Sequence, residues 1–225
     1  MYRVVAQQAV SIPEIVTLVS WLLSKDMLNV AISLLKLIKP SVTGLLKAPG
    51  PYEVLNYKAT LEIKDIGGHN AIYTRRERVR FLRDNISTLY DYGWGDGQSF
   101  ASHSVRPGRI VDRQSIGPRY KTTIALPSPK NRGDLLTFSI RRLVRDALID
   151  RKCWLEAEIY HKMERMTLMV IFPKERAVKK AHIIAQQAQT TIPVTVTVDK
   201  AGRQNLRYSV HGPKAGERYT LQWDW

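Results

Sequence analysis

Apolar positions recur at helical spacing in residues 11–47 and with a period of two from residue 52 onward, so the chain predicts two parts of different architecture. Ser11-Ile12-Pro13-Glu14 reads as a capping box opening a first helix, with Pro13 tolerated in its first turn. Asp26 can cap a second helix, which must stop at Pro40. Ser41 can open a short third helix to Lys47, although Gly44 weakens it. The first helix offers Ile15, Val16, Leu18, Val19, Trp21, Leu22 and Leu23. The second offers Met27, Leu28, Val30, Ile32, Leu34, Leu35, Leu37 and Ile38. Glu14, Thr17, Ser20 and Ser24 make one narrow polar stripe, continued by Asn29, Ser33 and Lys36. A helix apolar over most of its circumference is not satisfied by packing one face. Its destination is the side of a β domain, another copy or a partner, or a membrane. Lys25 and Asp26 split the apolar run, and each half falls short of the roughly 20 residues that span a bilayer.

Ala48-Pro49-Gly50-Pro51 reads as a linker between this hairpin module (1–47) and a β domain at 52–225. Leu55, Tyr57, Ala59, Leu61 and Ile63 alternate with polar residues, and Gly67-Gly68-His69-Asn70 turns the chain into a second strand from Ala71 to about Arg83. The alternation returns around Tyr120–Leu126, Phe138–Ile140, Cys153–Ile159, Leu168–Phe172, Val194–Val198, Leu206–Val210 and Tyr219–Trp225. Residues Ala177–Gln189 read as a strand or a short helix, with the strand preferred. About ten strands separated by Gly/Pro turns predict a mainly β fold, an antiparallel β-sandwich, behind a short helical hairpin.

Charge changes the picture. Thirty-five Lys and Arg against twenty Asp and Glu give +15, which implies an anionic partner without choosing between nucleic acid, a lipid surface and an acidic protein. Arg76, Arg78 and Arg80 share one strand face by alternation, with Arg75 and Arg83 close by, and they are the candidate anion-binding residues. Further basic groups stand at Arg106–Lys121 and Arg141–Lys152, with acids such as Glu77 and Asp112 interleaved. A single cysteine excludes an intramolecular disulfide framework, and with no secretory signal legible a cytoplasmic location is expected, peripheral to the membrane if the helices insert.

No phosphate-binding loop, nucleophile elbow or paired-histidine zinc helix is present, so neither enzyme activity nor a cofactor or metal is implied. The five histidines have no ligand spacing and read as turn or surface residues. Cys153 alternates with Leu155 and Ala157 and reads as a buried thiol; Glu156 and Glu158 read as a solvated strand face. Trp94, within Gly93-Trp-Gly-Asp-Gly97, stands on a glycine loop either as a recognition element or as a plug folded back on the core.

Arg78-Val-Arg-Phe-Leu82, Gly93-Trp-Gly-Asp-Gly97, Pro107-Gly-Arg-Ile-Val-Asp-Arg113, Val170-Ile-Phe-Pro-Lys-Glu-Arg176 and Tyr219-Thr-Leu-Gln-Trp-Asp-Trp225 carry a resemblance. Over residues 52–225 the chain resembles an uncharacterised family of bacterial β-rich domains found behind short variable N-terminal modules. The resemblance implies no assigned catalytic residue. Together these readings predict a non-enzymatic binding or assembly module. Its residues 11–47 would self-associate or dock on a partner, or insert into a bilayer, and its basic β domain would meet an anionic or protein ligand.

Overall fold

The computed structural model of the chain describes residues 50–94, 100–116, 119–185 and 190–225; the helical readings at 11–47 lie outside them. The described part is mainly β, with fourteen strands and no helix among the described residues. In chain order they are β1 (Tyr52–Ile63), β2 (Asn70–Phe81), β3 (Ile86–Trp94), β4 (Phe100–Arg106), β5 (Arg109–Ile116), β6 (Arg119–Lys130) and β7 (Leu135–Arg145). There follow β8 (Lys152–Glu158), β9 (Arg165–Ile171), β10 (Lys180–Ala185), β11 (Thr190–Pro193), β12 (Thr195–Val198), β13 (Gln204–His211) and β14 (Arg218–Asp224).

They form a seven-stranded sheet in the order β12-β13-β9-β1-β2-β7-β4, a four-stranded sheet β11-β10-β14-β8 and a three-stranded sheet β3-β6-β5. The expectation of purely antiparallel pairing is corrected at the centre of the large sheet. There β1 runs parallel to β9, with Tyr57 opposite Met166 and Leu61 opposite Val170. The chain returns to β1 by a connection far longer than a hairpin, and only such a connection permits parallel neighbours.

One row of cross-strand partners, Tyr208, Leu168, Ala59 and Arg75, fixes a common face of the large sheet. Tyr208 meets Tyr219 of the four-stranded sheet, and Arg75 meets Asp91 of the three-stranded sheet, so both smaller sheets cover this inner face. The core lies between them: Val79, Phe81, Ile140, Leu168, Val170 and Leu221 are fully buried. A bulge at Leu55 shifts the register of β1, so Tyr52 and Val54 join Tyr57 and Ala59 in the core although their numbering parity differs. Phe172 contacts Trp223 and Trp225 edge-on, with centroids 5.9 and 6.0 Å apart, and closes one end of the core.

Strands β3, β4 and β5 were not predicted. Five consecutive residues of β5, Val111–Ser115, are exposed, and β3 turns Asp91 and Gly93 inward beside Leu89, so neither strand shows an apolar alternation.

Candidate anion-binding face

On the outer face of the large sheet the register sets Lys58 opposite Arg76, Arg76 opposite Ser139, and Ser139 opposite Arg106. The next outward row runs Asn56, Arg78, Thr137. Lys58, Arg76 and Arg78 line a shallow depression with Asn56 and Thr137. Among the described residues no carboxylate comes within ion-pair distance of these three cations. Like charges directly opposite on neighbouring strands destabilise a sheet. Phosphate or carboxylate oxygens set over that row would remove the repulsion, and guanidinium groups suit them by bidentate hydrogen bonding.

The other two predicted cations stand elsewhere. Arg80 Nη1 donates to Glu53 Oε1 at 2.9 Å, and Lys162 takes Oε2 of the same carboxylate at 3.0 Å. The Lys162 hydrogen bond is the main cause that holds Glu53 below the usual carboxylate range. Unlike Arg76 and Arg78, Arg80 thus has a carboxylate partner, which it shares with Lys162. Arg83 follows the end of β2 and does not share its face, because the strand stops at Phe81. Trp94 is the last residue of β3, its backbone opposite Arg119, so it belongs to a strand end; residues 95–99 lie outside the described residues. Cys153 is buried as expected, and its Sγ donates to the Asp150 carbonyl at 3.2 Å. Glu156 and Glu158 are ion-paired with Arg218 rather than merely solvated.

Beneath the basic face, between the large and the three-stranded sheet, lies a charge cluster that sequence reasoning missed. Asp91 of β3 has a side chain with no exposure. Its Oδ1 is 2.8 Å from Arg75 Nη1, and its Oδ2 accepts a hydrogen bond from Arg142 of β7. Arg75 Nε lies 2.8 Å from Glu77 Oε1, and His103 Nε2 lies 3.5 Å from Asp91 Oδ2. Burial alone would raise the Asp91 pKa, but Arg75 and Arg142 outweigh it and hold the carboxyl below its ordinary value. Glu77 has only Arg75 against burial and the Asp91 charge, and its pKa is raised. His103 is pushed down to about 4, first by burial and then by Arg142, so it is neutral; this corrects its reading as a turn or surface residue. Gly93 makes room for this arrangement: a Cβ there would lie 2.9 Å from Arg142 Nη1. The legible signal was charge at inward positions, since Asp91 alternates with Leu89 and Arg142 with Ile140 and Val144. Two guanidiniums against two carboxylates make the cluster close to neutral, a tie between sheets more than a site for a ligand.

Among the described residues no group of three or more His, Cys, Asp or Glu is placed to hold a metal ion. No family model matches the chain, and no curated protein matches it significantly. Among solved structures the chain is similar to a candidate protease from Parabacteroides distasonis ATCC 8503, with a TM-score of 0.53 and 5% identity over 79% of this chain and 41% of that one. An M1 zinc metallopeptidase from Deinococcus radiodurans matches with a TM-score of 0.44 and 13% identity, over 76% of this chain and 42% of that one. The chain spans about two fifths of the length of these structures. The first likeness is one of fold alone.

Proposed function

We propose that the protein is a non-enzymatic binding module whose β unit presents Lys58, Arg76 and Arg78 to a phosphate-bearing partner. The observation that carries this reading is the uncompensated cationic row on the outer face of the large sheet. A row of like charges that weakens its own sheet is accounted for by a ligand of opposite charge. Arg80 and Arg83 take no part in the primary contact. Residues 11–47, read as an apolar helical hairpin, supply self-association or docking on a partner, so that several basic faces act together.

Binding to single-stranded nucleic acid and to vesicles containing phosphatidylserine, each measured across a salt series, tests the reading. Affinity that falls steeply with salt in either arm, and collapses in the Arg76→Glu/Arg78→Glu variant, supports it and names the source of the phosphate. Affinity unchanged by that double reversal would refute it. Sedimentation of the full chain beside a chain starting at Pro51 tests the assembly role: only the full chain should associate.

A further inference from the structure

Among the described residues six strands stand at the borders of the three sheets, and five of them carry a charged residue or a proline. β4 ends on Arg106, β5 holds Asp112 and Arg113, β8 holds Glu156 and Glu158, β3 turns Asp91 inward, and β11 ends on Pro193. Such residues discourage a border from pairing with strands of other molecules. β12 is the exception. Thr195-Val196-Thr197-Val198 is neutral, β-branched throughout and exposed at all four positions. One side of β12 pairs with β13, and no described strand pairs with the other. Val196 stands opposite the fully buried Leu206, so Val196 and Val198 lie on the inner face of the sheet, yet they are 45% and 66% exposed. Thr195 stands opposite Arg207, and with Thr197 it lies on the outer face that carries Lys58 and Arg76.

We infer that two copies of this chain join along β12, antiparallel, about a two-fold axis through Thr197. Self-complementarity sets the occupant. An axis normal to the sheet keeps inner face beside inner face, so each residue must meet one of its own parity. Placed at Thr197, the axis sets Thr197 against Thr197 of the second copy and Val196 against its Val198. Cross-strand pairs of β-branched residues are favourable, and the exposed valines of each copy cover those of the other. In a chain of +15 the uncharged border is also a place where two copies meet without placing cation against cation. Four residues bury far less than the roughly 1,200 Å² of a stable interface, so the strand pair does not hold alone. The inference therefore rests on the reading of residues 11–47 as the associating element: once they hold two copies together, the strands pair as an intramolecular step. The two-fold leaves both basic rows on one side of a joined sheet. With four strand spacings in each copy and one across the border, the two β2 strands lie about 43 Å apart along it, and a long polyanion can touch both rows.

Cysteine cross-linking in the full chain tests the register. Thr197→Cys places a thiol on the axis, opposite its own counterpart, whereas the thiols of Thr195→Cys would lie roughly 14 Å apart at about 3.4 Å per residue. Oxidation by copper phenanthroline should therefore give covalent dimer at least about tenfold faster from Thr197→Cys than from Thr195→Cys. Both positions are exposed, where folding tolerates change, and Cys153, present in every variant, is buried. Adding Val196→Lys to Thr197→Cys should abolish the cross-link while the full chain still sediments as an assembly. Equal rates at the two positions, or an assembled chain in which Thr197→Cys stays unlinked, would overturn the inference and leave the role of residues 11–47 standing. A full chain that sediments as a monomer would refute that role and the strand pairing with it.

Discussion

Asp91 and Arg142 meet between two different sheets, the carboxylate without exposure and the guanidinium side chain 8% exposed. Asp91 also reaches Arg75, whose other partner is Glu77, so one acid touches both buried cations of the cluster. Replacing Asp91 by Ala should therefore cost about 3–5 kcal/mol of unfolding free energy, since both guanidiniums would remain buried without it. Arg142→Met should cost less, because Arg75 still neutralises Asp91. Urea denaturation of the two variants orders them directly.

His103 makes the fold sensitive to acid. Its pKa falls from 6.5 in the unfolded chain to about 4 in the folded one, so between these values the unfolded state binds more protons. Stability is then full above pH 6.5 and declines as the pH drops toward 4. The groups around the ring act in both directions: Arg142, Arg113 and Arg75 disfavour its protonation and Asp91 favours it. Thermal melts of the parent chain should show this decline, and His103→Gln should lessen it, leaving the contributions of His161, which burial shifts the same way, and of Glu53 and Asp91, whose lowered carboxyls also lose stabilisation in acid.

Function and stability oppose one another at Arg76. Arg76→Thr removes the like-charge pair with Lys58 and adds a β-branched residue to a sheet face, so it should raise stability by about 0.2–1 kcal/mol. The same variant should weaken phosphate binding and reduce the salt slope by about one. A variant that binds fully while being more stable would separate the two and count against the basic row as the contact.

Cys153 should be inert until the chain unfolds. Burial first, and then the charges of Asp150 and Asp224, push its thiol up to about 11. At pH 8 only about one thiol in a thousand would be ionised, which starves alkylation of its nucleophile. Iodoacetamide labelling, read by mass, should proceed only as denaturant crosses the unfolding midpoint, and with one cysteine in the chain the readout is unambiguous.

The last residue is part of the core. Trp225 is 3% exposed, its Nε1 donates to the Asp150 carbonyl at 3.0 Å, and the Arg176 guanidinium stacks 3.6 Å from its ring centroid. Trp225→Ala should cost about 3–5 kcal/mol, as a truncated buried aromatic does. A loss below about 1 kcal/mol in chemical denaturation would show that this end of the chain does not close the core.

Alternation made the central strands legible: Leu61 and Ile63 in β1, Leu168 and Val170 in β9, and Leu221 and Trp223 in β14 all point inward as their spacing says. Alternation fails where an edge strand buries nothing, as in β5, or where the inward residues are ionic, as at Asp91. It fails again at the Leu55 bulge, because one inserted residue reverses the parity of everything before it. Of the basic face, the shared orientation of Arg76 and Arg78 was readable from β2 alone. Lys58 became a member only through the pairing of β1 with β2, and Arg80 left it only through Glu53, so neither change was available to a strand considered by itself.

The parallel seam between β1 and β9 has a consequence for how the chain reaches this state. Tyr57 cannot find Met166 until more than a hundred further residues have been synthesised, so the middle of the large sheet stays open until β9 emerges. A nascent chain ending before Arg165 would carry β1 paired with β2 on one side and an open, hydrogen-bond-hungry border on the other. Such a border recruits strands from other molecules, and topologies dominated by distant pairings fold slowly. Production of this protein should therefore depend on keeping growing chains apart, with slower translation, lower temperature or a chaperone that shields strand borders raising the soluble yield.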